Sequence, residues 1–185
     1  GETEESGLEG EVANVPYQLH ATYIVSPIKS GFLLLDQQAA HERILYERYL
    51  SMLRKQERSV QQELFPRNLE LSPADAEVLR DLLPQINMLG FDLQEFGQNS
   101  FVIHGVPSDL ITGQDEVAII ERLLGQFREN VAFDLSNDEK LAEAMARSAA
   151  IKRGRRMEQR EMQELIDKLF ACEMPYNSPS GRKCF

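Results

Sequence analysis

Residues 32–47 read FLLLDQQAAHERILYE and place a short strand directly before a helix. Phe32 to Leu35 is a continuous apolar run, which is typical of a strand buried on both faces. Asp36 follows it, and aspartate is a favoured N-cap residue. The apolar positions that come next recur at helical spacing and predict a helix to about Lys55: Ala40, Ile44, Tyr49 and Leu53.

The flanking sequence predicts a mixture of strands and helices. Residues 17–25 alternate loosely and favour a strand, and turn residues at 26–31 join it to Phe32–Leu35 as a hairpin. The other predicted elements are an extended segment at 60–71 interrupted by Pro66 and a hairpin over 91–105. One helix is predicted to begin at Ser72-Pro73, and three more are predicted over 115–128, 137–152 and 158–170. Elements of both kinds in blocks indicate an α+β (mixed α/β) fold.

The order of these elements predicts a two-lobed molecule. Residues 60–130 contain their own strand, helix, hairpin and helix, so we expect a smaller α/β subdomain inserted into the rest. The rest consists of residues 13–59 and 131–185. Residues 1–12 carry only acidic charge and are interpreted as an acidic linker.

Charge is distributed unevenly over the 185 residues. The chain has 30 acidic and 20 basic side chains, for a net charge of −10. Residues 147–160 reverse this balance, with six basic residues and one acidic residue. Because the body is acidic, any contact with DNA must be weak and local.

Composition excludes several classes of protein. No apolar run approaches the roughly 20 residues needed to span a bilayer, and no signal-peptide pattern is present at the beginning. Cys172 and Cys184 are too few for a disulfide scaffold or a four-cysteine zinc site. We expect a globular protein of the reducing cytosol.

Three separated segments resemble motifs of one family. Residues 36–47 resemble the Asp-Gln-His-Ala-x-x-Glu-x4-Glu motif of the C-terminal domain of the MutL mismatch-repair family. Residues 146–152 are similar to its Ala-Cys-Arg segment, and residues 175–183 resemble its closing Cys-Pro-His-Gly-Arg-Pro segment. The order and separation of the segments fit, and the resemblance extends from about residue 14 onward.

The resemblance implies a homodimerisation module of a bacterial mismatch-repair protein. Residues 13–59 and 131–185 would form the dimerisation subdomain, and residues 60–130 the regulatory subdomain. An N-terminal ATPase, which uses ATP and Mg²⁺, would belong to a longer protein. The implied partners are a MutS-like mismatch sensor, the replication sliding clamp and DNA, with no membrane partner, in the bacterial cytoplasm at the nucleoid.

The resemblance also implies a degenerate metal site. Family members that nick DNA hold metal through positions occupied here by Gln38, Glu42, Arg147, Ser178 and Ser180. Among these, only the Glu42 carboxylate is a good ligand, and Arg147 places a permanent cation where a metal would lie. We therefore predict no metal, no cofactor in this domain and no enzymatic activity of its own.

A nicking endonuclease remains the alternative hypothesis. It would use Asp36, Glu42 and Glu47 to hold Mn²⁺ or Mg²⁺ through oxygen ligands alone. Against it, Asp36 fits its position as a helix N-cap, and Gln38 and Glu42 fit a hydrogen-bonded polar face because they are four residues apart. His41 points about 100° away from Glu42 on the helix, which is a poor chelating geometry.

Two further segments are candidates for binding partners. Gln61, Leu64, Phe65 and Pro66 resemble the short motif that contacts the sliding clamp, although an ordinary edge strand facing its own core is an equally weighted alternative. A cluster of cations is the candidate DNA contact, against the alternative of a solvated helix end: Lys152, Arg153, Arg155 and Arg156. A DNA-binding adaptor is accordingly a third hypothesis for function.

Overall fold

A computed structural model describes residues 14–111, 113–130 and 135–185. It confirms the predicted α+β fold; the acidic linker predicted at 1–12 lies outside the described residues. The strands are β1 (Tyr17–Leu19), β2 (Tyr23–Ile28), β3 (Gly31–Asp36), β4 (Val60–Glu70), β5 (Asp92–Glu95) and β6 (Ser100–Pro107). The helices are α1 (Gln37–Lys55), α2 (Pro73–Met88), α3 (Glu116–Glu129), α4 (Asn137–Ala149) and α5 (Gln159–Phe170).

The first sheet is antiparallel, with strand order β1-β2-β3. The sequence predicts one strand over residues 17–25, but that prediction is wrong because the chain reverses at His20 and Ala21. Both residues have a positive φ, 52° and 47°, in the left-handed region that ordinary residues rarely adopt. The result is an additional hairpin between β1 and β2.

Pro27 lies within β2 and not in the turn that its sequence predicts. It pairs with Phe32 of β3, although β2 is the central strand and proline cannot donate a ladder hydrogen bond. The short length of β1 explains why a proline is tolerated in this central strand, because β1 pairs only with residues 23–25 of β2. Beside Pro27, β2 therefore has no neighbouring strand on its β1 side among the residues that the structure describes.

Helix α1 joins two hydrophobic cores. Asp36 caps its N-terminus, as predicted: one carboxylate oxygen accepts hydrogen bonds from the backbone N–H groups of Gln38 at 3.1 Å and Ala39 at 3.0 Å. The first turns pack in a core with the first sheet and α5, and the later turns pack in a larger core with α2, α3 and α4. α1 thus contributes to both hydrophobic cores as one continuous helix.

The second sheet has strand order β4-β6-β5, so β4 is an edge strand. Its pairing with β6 shifts register between Gln62 and Arg67. Pro66 lies within this shift, where the missing N–H does not interrupt a ladder. The sequence predicts this irregular edge correctly.

Helix α4 ends at Ala149, three residues before the predicted end at Lys152. The chain leaves the helix because Ala150 has extended backbone angles and the N–H of Ile151 donates to Nδ1 of His41 at 2.7 Å. Residues 150–158 are therefore an irregular segment. Since α4 packs on both α1 and α3, the subdomain boundaries drawn from the sequence stay a prediction.

Candidate dimer interface and neighbouring polar site

The outer face of the first sheet is apolar and exposed. Residues directly opposite one another in antiparallel strands share a face, so the registers place Tyr17, Val25 and Leu34 together, with Leu19 beside Tyr23 and Pro27 beside Phe32. Phe32 is 65% exposed, and most of the others are also open to solvent. Five exposed residues on this side of the sheet define what we call the outer face: Tyr17, Leu19, Tyr23, Phe32 and Leu34.

The inner face of the same sheet is filled. Ile24 and Leu35 are completely buried and lie against α5 and the first turns of α1. The sheet therefore has one face that the chain covers itself and one that residues 14–111, 113–130 and 135–185 leave open. In an antiparallel sheet with one solvated face, the residues along each strand normally alternate, with apolar side chains on the buried face and polar side chains on the solvated face. The outer face of this sheet carries apolar side chains instead.

The apolar surface continues from the outer face to the C-terminal segment. Tyr23 and Leu34 line a cavity of about 370 Å³ together with Phe185. The ring of Phe185 lies 5.2 Å from that of Phe170 and 5.7 Å from that of Tyr176, and Phe170 and Tyr176 are themselves exposed. A contiguous exposed apolar surface of this kind marks a binding surface.

Asp36 lies at the edge of this surface, and its carboxylate is fully engaged. One oxygen caps α1, and the other forms ion pairs with Arg153 at 2.8 Å and Arg182 at 3.4 Å. Three separate segments of the chain therefore converge on one carboxylate. This arrangement explains Asp36 as a structural residue.

The other two candidate metal carboxylates are also bound to protein groups. Glu42 accepts a hydrogen bond from Gln38 at 3.2 Å, which is the polar face that the sequence predicts. Glu47 accepts from the backbone N–H of Glu173 at 2.6 Å and lies 3.7 Å from Arg43. In the part of the chain that the structure describes, no three His, Cys, Asp or Glu residues are arranged to hold a metal ion.

The remaining positions of the predicted degenerate metal site are engaged in contacts within the protein. Ser178 and Ser180 share a hydrogen bond of 3.0 Å between their hydroxyl oxygens. Two other positions of the set, Glu42 and Arg147, act on the neighbouring Glu143, whose pKa is raised. Burial is the largest cause of the raised pKa; Arg147 lowers this pKa and Glu42 raises it. Histidine and cysteine, the side chains that supply nitrogen and sulfur to zinc, are absent from these five positions. That this domain binds no metal and nicks no DNA stays a prediction.

His41 ties α1 to the segment that follows α4. Its Nδ1 accepts the Ile151 N–H, so this nitrogen must be unprotonated. Burial, with smaller contributions from Lys168, Arg155 and Lys152, lowers the pKa of His41 to about 3. His41 is a structural hydrogen-bond acceptor in this position.

The candidate clamp-binding segment lies on the exposed edge of the second sheet. Gln61 pairs with Val106 of β6, and Phe65 is 82% exposed. Phe65 therefore does not face the core of its lobe. The side chain of Leu64 lies outside the described residues.

The basic segment 152–156 is held in place by a pair of glutamines. Buried Gln37 donates to the carbonyl groups of Lys152 at 2.9 Å and Arg155 at 3.1 Å. Gln18 donates to Arg155 O at 2.8 Å. Two of the candidate DNA-contacting arginines form ion pairs, Arg153 with Asp36 and Arg155 with Glu161, while Arg156 is exposed. Contact with DNA stays a prediction.

One functional candidate is missed by sequence reasoning. Arg122 of α3 donates to Ser148 O at 3.1 Å and lines the same pocket as Lys152 and Arg155. No local pattern in the sequence marks it, because only the packing of α3 against α4 brings it to the basic segment.

The fold and the surface together define an α+β protein-binding domain that presents an apolar sheet face. Residues 17–157 match the family described as the MutL C terminal dimerisation domain. The chain belongs to this family.

Curated relatives support the same assignment. The chain is 36% identical over 180 residues to the DNA mismatch repair protein MutL of Chlorobium limicola, with 97% of the chain and 28% of the relative covered. It is 38% identical over 184 residues to that of Chlorobium phaeovibrioides, with 98% and 30% covered. The chain thus spans under a third of the length of these relatives. None of the helices in the described part of the chain has the length and hydropathy needed to cross a bilayer.

Proposed function

We propose that two copies of this chain pair through the outer face of the first sheet. The observation that carries the proposal is the alternation in β3, where Leu35 is fully buried while Phe32 is 65% and Leu34 43% exposed. Pairing two such faces would remove this apolar area from water. Membership of a family of dimerisation domains supports the proposal independently.

The dimer would serve a longer mismatch-repair protein. The domain covers 28–30% of two bacterial relatives named DNA mismatch repair protein MutL, and the function that we propose is to hold two such proteins together. Two ATPase domains joined in this way experience a high effective concentration, so ATP and Mg²⁺ could close them on DNA. A MutS-like mismatch sensor would act on this assembly in the bacterial cytoplasm at the nucleoid.

The test uses the full-length protein in cells that lack their own copy. Phe32→Glu places a charge in the proposed interface and should raise the mutation rate to that of cells without the protein. Phe96→Glu is the matched control, because Phe96 is 71% exposed and lies between β5 and β6 of the second sheet; it should complement fully. Full complementation by Phe32→Glu at normal abundance would contradict the proposal.

A second candidate function is docking of the sliding clamp on segment 61–66. The observation that favours it is the 82% exposure of Phe65 beside a register shift on an edge strand. An edge of this kind can offer backbone groups to a partner while an aromatic side chain enters an apolar pocket.

Clamp docking is tested by replacing the exposed aromatic residue. Phe65→Ala, alone and with Gln61→Ala, should abolish the shifts that the clamp induces in NMR spectra of this domain. Phe96→Ala is the control for loss of an exposed phenylalanine elsewhere in the lobe. Unchanged clamp binding by the folded double variant would show that the segment is only an edge strand.

A further inference from the structure

We propose that a cation-lined pocket at the C-terminal end of α4 binds a phosphate group. The pocket has a volume of about 370 Å³ and is lined by Arg122 of α3 and by Lys152 and Arg155 of the segment after α4. Its other walls are largely apolar, with Gln114 and Asp115 at one side. The site is separate from the outer face, so it goes beyond dimerisation.

The cations are held in place by carbonyl groups at the end of α4. Arg122 donates to Ser148 O, and Lys152 Nζ donates to Arg147 O. Gln114 donates to Ala149 O at 3.0 Å. A guanidinium group has five N–H donors and an ammonium group has three, so both cations keep donors for a ligand after these contacts.

The positive charge of the pocket is incompletely neutralised. Across 14–111, 113–130 and 135–185, neither Arg122 nor Lys152 has a carboxylate within ion-pair distance, and Arg155 pairs with Glu161 at 3.3 Å. Burial is the main cause of the lowered pKa of Lys152; Arg122 and Arg147 lower it further, and Glu42 acts in the opposite direction. A bound anion would relieve this repulsion between like charges.

The acidic residue in the wall is already engaged. Asp115 accepts hydrogen bonds from two backbone N–H groups at the start of α3 and from Arg67 at 3.1 Å. It therefore contributes less negative charge to the pocket than a free carboxylate would. Three cations outnumber the two engaged acids, Asp115 in the wall and Glu161 beside Arg155, which favours an anionic ligand.

Gln114 belongs to the wall of the pocket and does not distinguish one kind of phosphate from another. Its Oε1 is buried and has no hydrogen-bond partner within the described part of the chain. Since a buried oxygen is closed to a ligand in the pocket, the cations would hold the phosphate group. That group could belong to inorganic phosphate or to the phosphodiester backbone of DNA.

Two titrations of the complete domain distinguish these sources. The first adds inorganic phosphate near neutral pH and follows binding by calorimetry. The second adds a labelled DNA duplex at low and at physiological salt and follows fluorescence anisotropy. Binding of inorganic phosphate assigns the site to free phosphate, and binding of DNA alone assigns it to the nucleic-acid backbone.

Charge-removing variants test the pocket directly. The double variant Arg122→Gln with Lys152→Gln should lower the affinity for the bound phosphate species at least tenfold and, for DNA, flatten the salt dependence by about two charges. Lys140→Gln removes a cation near the other end of α4 and should bind as the parent does. Lys152→Arg keeps the charge and should retain binding, which provides a readout if the double variant fails to fold.

The competing explanation is that the cations only cap α4. In that case the parent would bind neither ligand, or the folded double variant would bind as tightly as the parent; either result overturns the proposal. Sedimentation of the same samples separates this outcome from a failure of dimerisation, because the pocket variants should keep the association state of the parent.

Discussion

The two sheets of this domain have the same number of strands, but their outer faces differ. In the second sheet, the strand register places Asn68, Val102 and Gln94 side by side, and Glu70 beside Ser100. That face is largely polar and suits water. The outer face of the first sheet carries exposed tyrosine, leucine and phenylalanine side chains instead. The contrast favours the first sheet as the one whose face meets another protein surface.

The largest expected effect separates the two faces of β3. Leu35→Ala removes a fully buried side chain and should lower the free energy of unfolding by about 3 kcal/mol, since it leaves a cavity. Leu34→Ala, one residue away on the outer face, should cost the isolated chain far less. Urea denaturation at a concentration where both variants are monomeric measures the difference. Equal losses would mean that the outer face is covered within the chain.

The next effect concerns association. Phe32→Glu would bury a charge between two outer faces and should raise the dissociation constant of the dimer at least 100-fold, about 2.7 kcal/mol. Phe96→Glu alters a comparably exposed phenylalanine next to the polar sheet and should leave association unchanged. Concentration-dependent light scattering follows both variants. If the two substitutions weaken the dimer equally, the outer face of the first sheet is not the interface.

A smaller effect should appear in the pH dependence of stability. The unfolded chain protonates His41 near its ordinary pKa of 6.5, whereas the folded chain protonates it only near 3. Between pH 6.5 and 5, stability should therefore fall by about 1.4 kcal/mol per pH unit, a loss of about 2 kcal/mol that is absent above pH 6.5.

His41→Asn tests this origin of the pH dependence. It keeps an acceptor for the Ile151 N–H but removes the titrating group, so its stability curve should be flatter between pH 5 and 6.5. His104→Asn, on the second sheet, should preserve the slope because His41 remains. Urea denaturation across this range measures both. An unchanged slope in His41→Asn would assign the acid sensitivity to other groups.

Local signals allowed much of the fold to be predicted. Asp36 before a helical pattern and Ser72-Pro73 before another mark the first residues of α1 and α2, and both are N-caps in the structure. These predictions succeed because a cap needs only residues adjacent in the chain. The irregular edge at Pro66 is predictable for the same reason.

Features that depend on distant contacts could not be predicted. The end of α4 is set by Ile151 meeting His41, which lies 110 positions earlier in the chain. The reversal at His20 and Ala21 involves no glycine or asparagine, so its sequence gives no turn signal. Arg122 reaches the basic segment only through helix packing, and a phosphate pocket therefore cannot be read from the basic run alone.

Sedimentation equilibrium of the unmodified domain tests the central claim most directly. The account predicts a particle of twice the 21.1 kDa chain mass at micromolar concentration, and conversion to a single-chain particle when Phe32 is replaced by Glu. A parent domain that sediments as a 21.1 kDa monomer over the whole micromolar range would contradict the account.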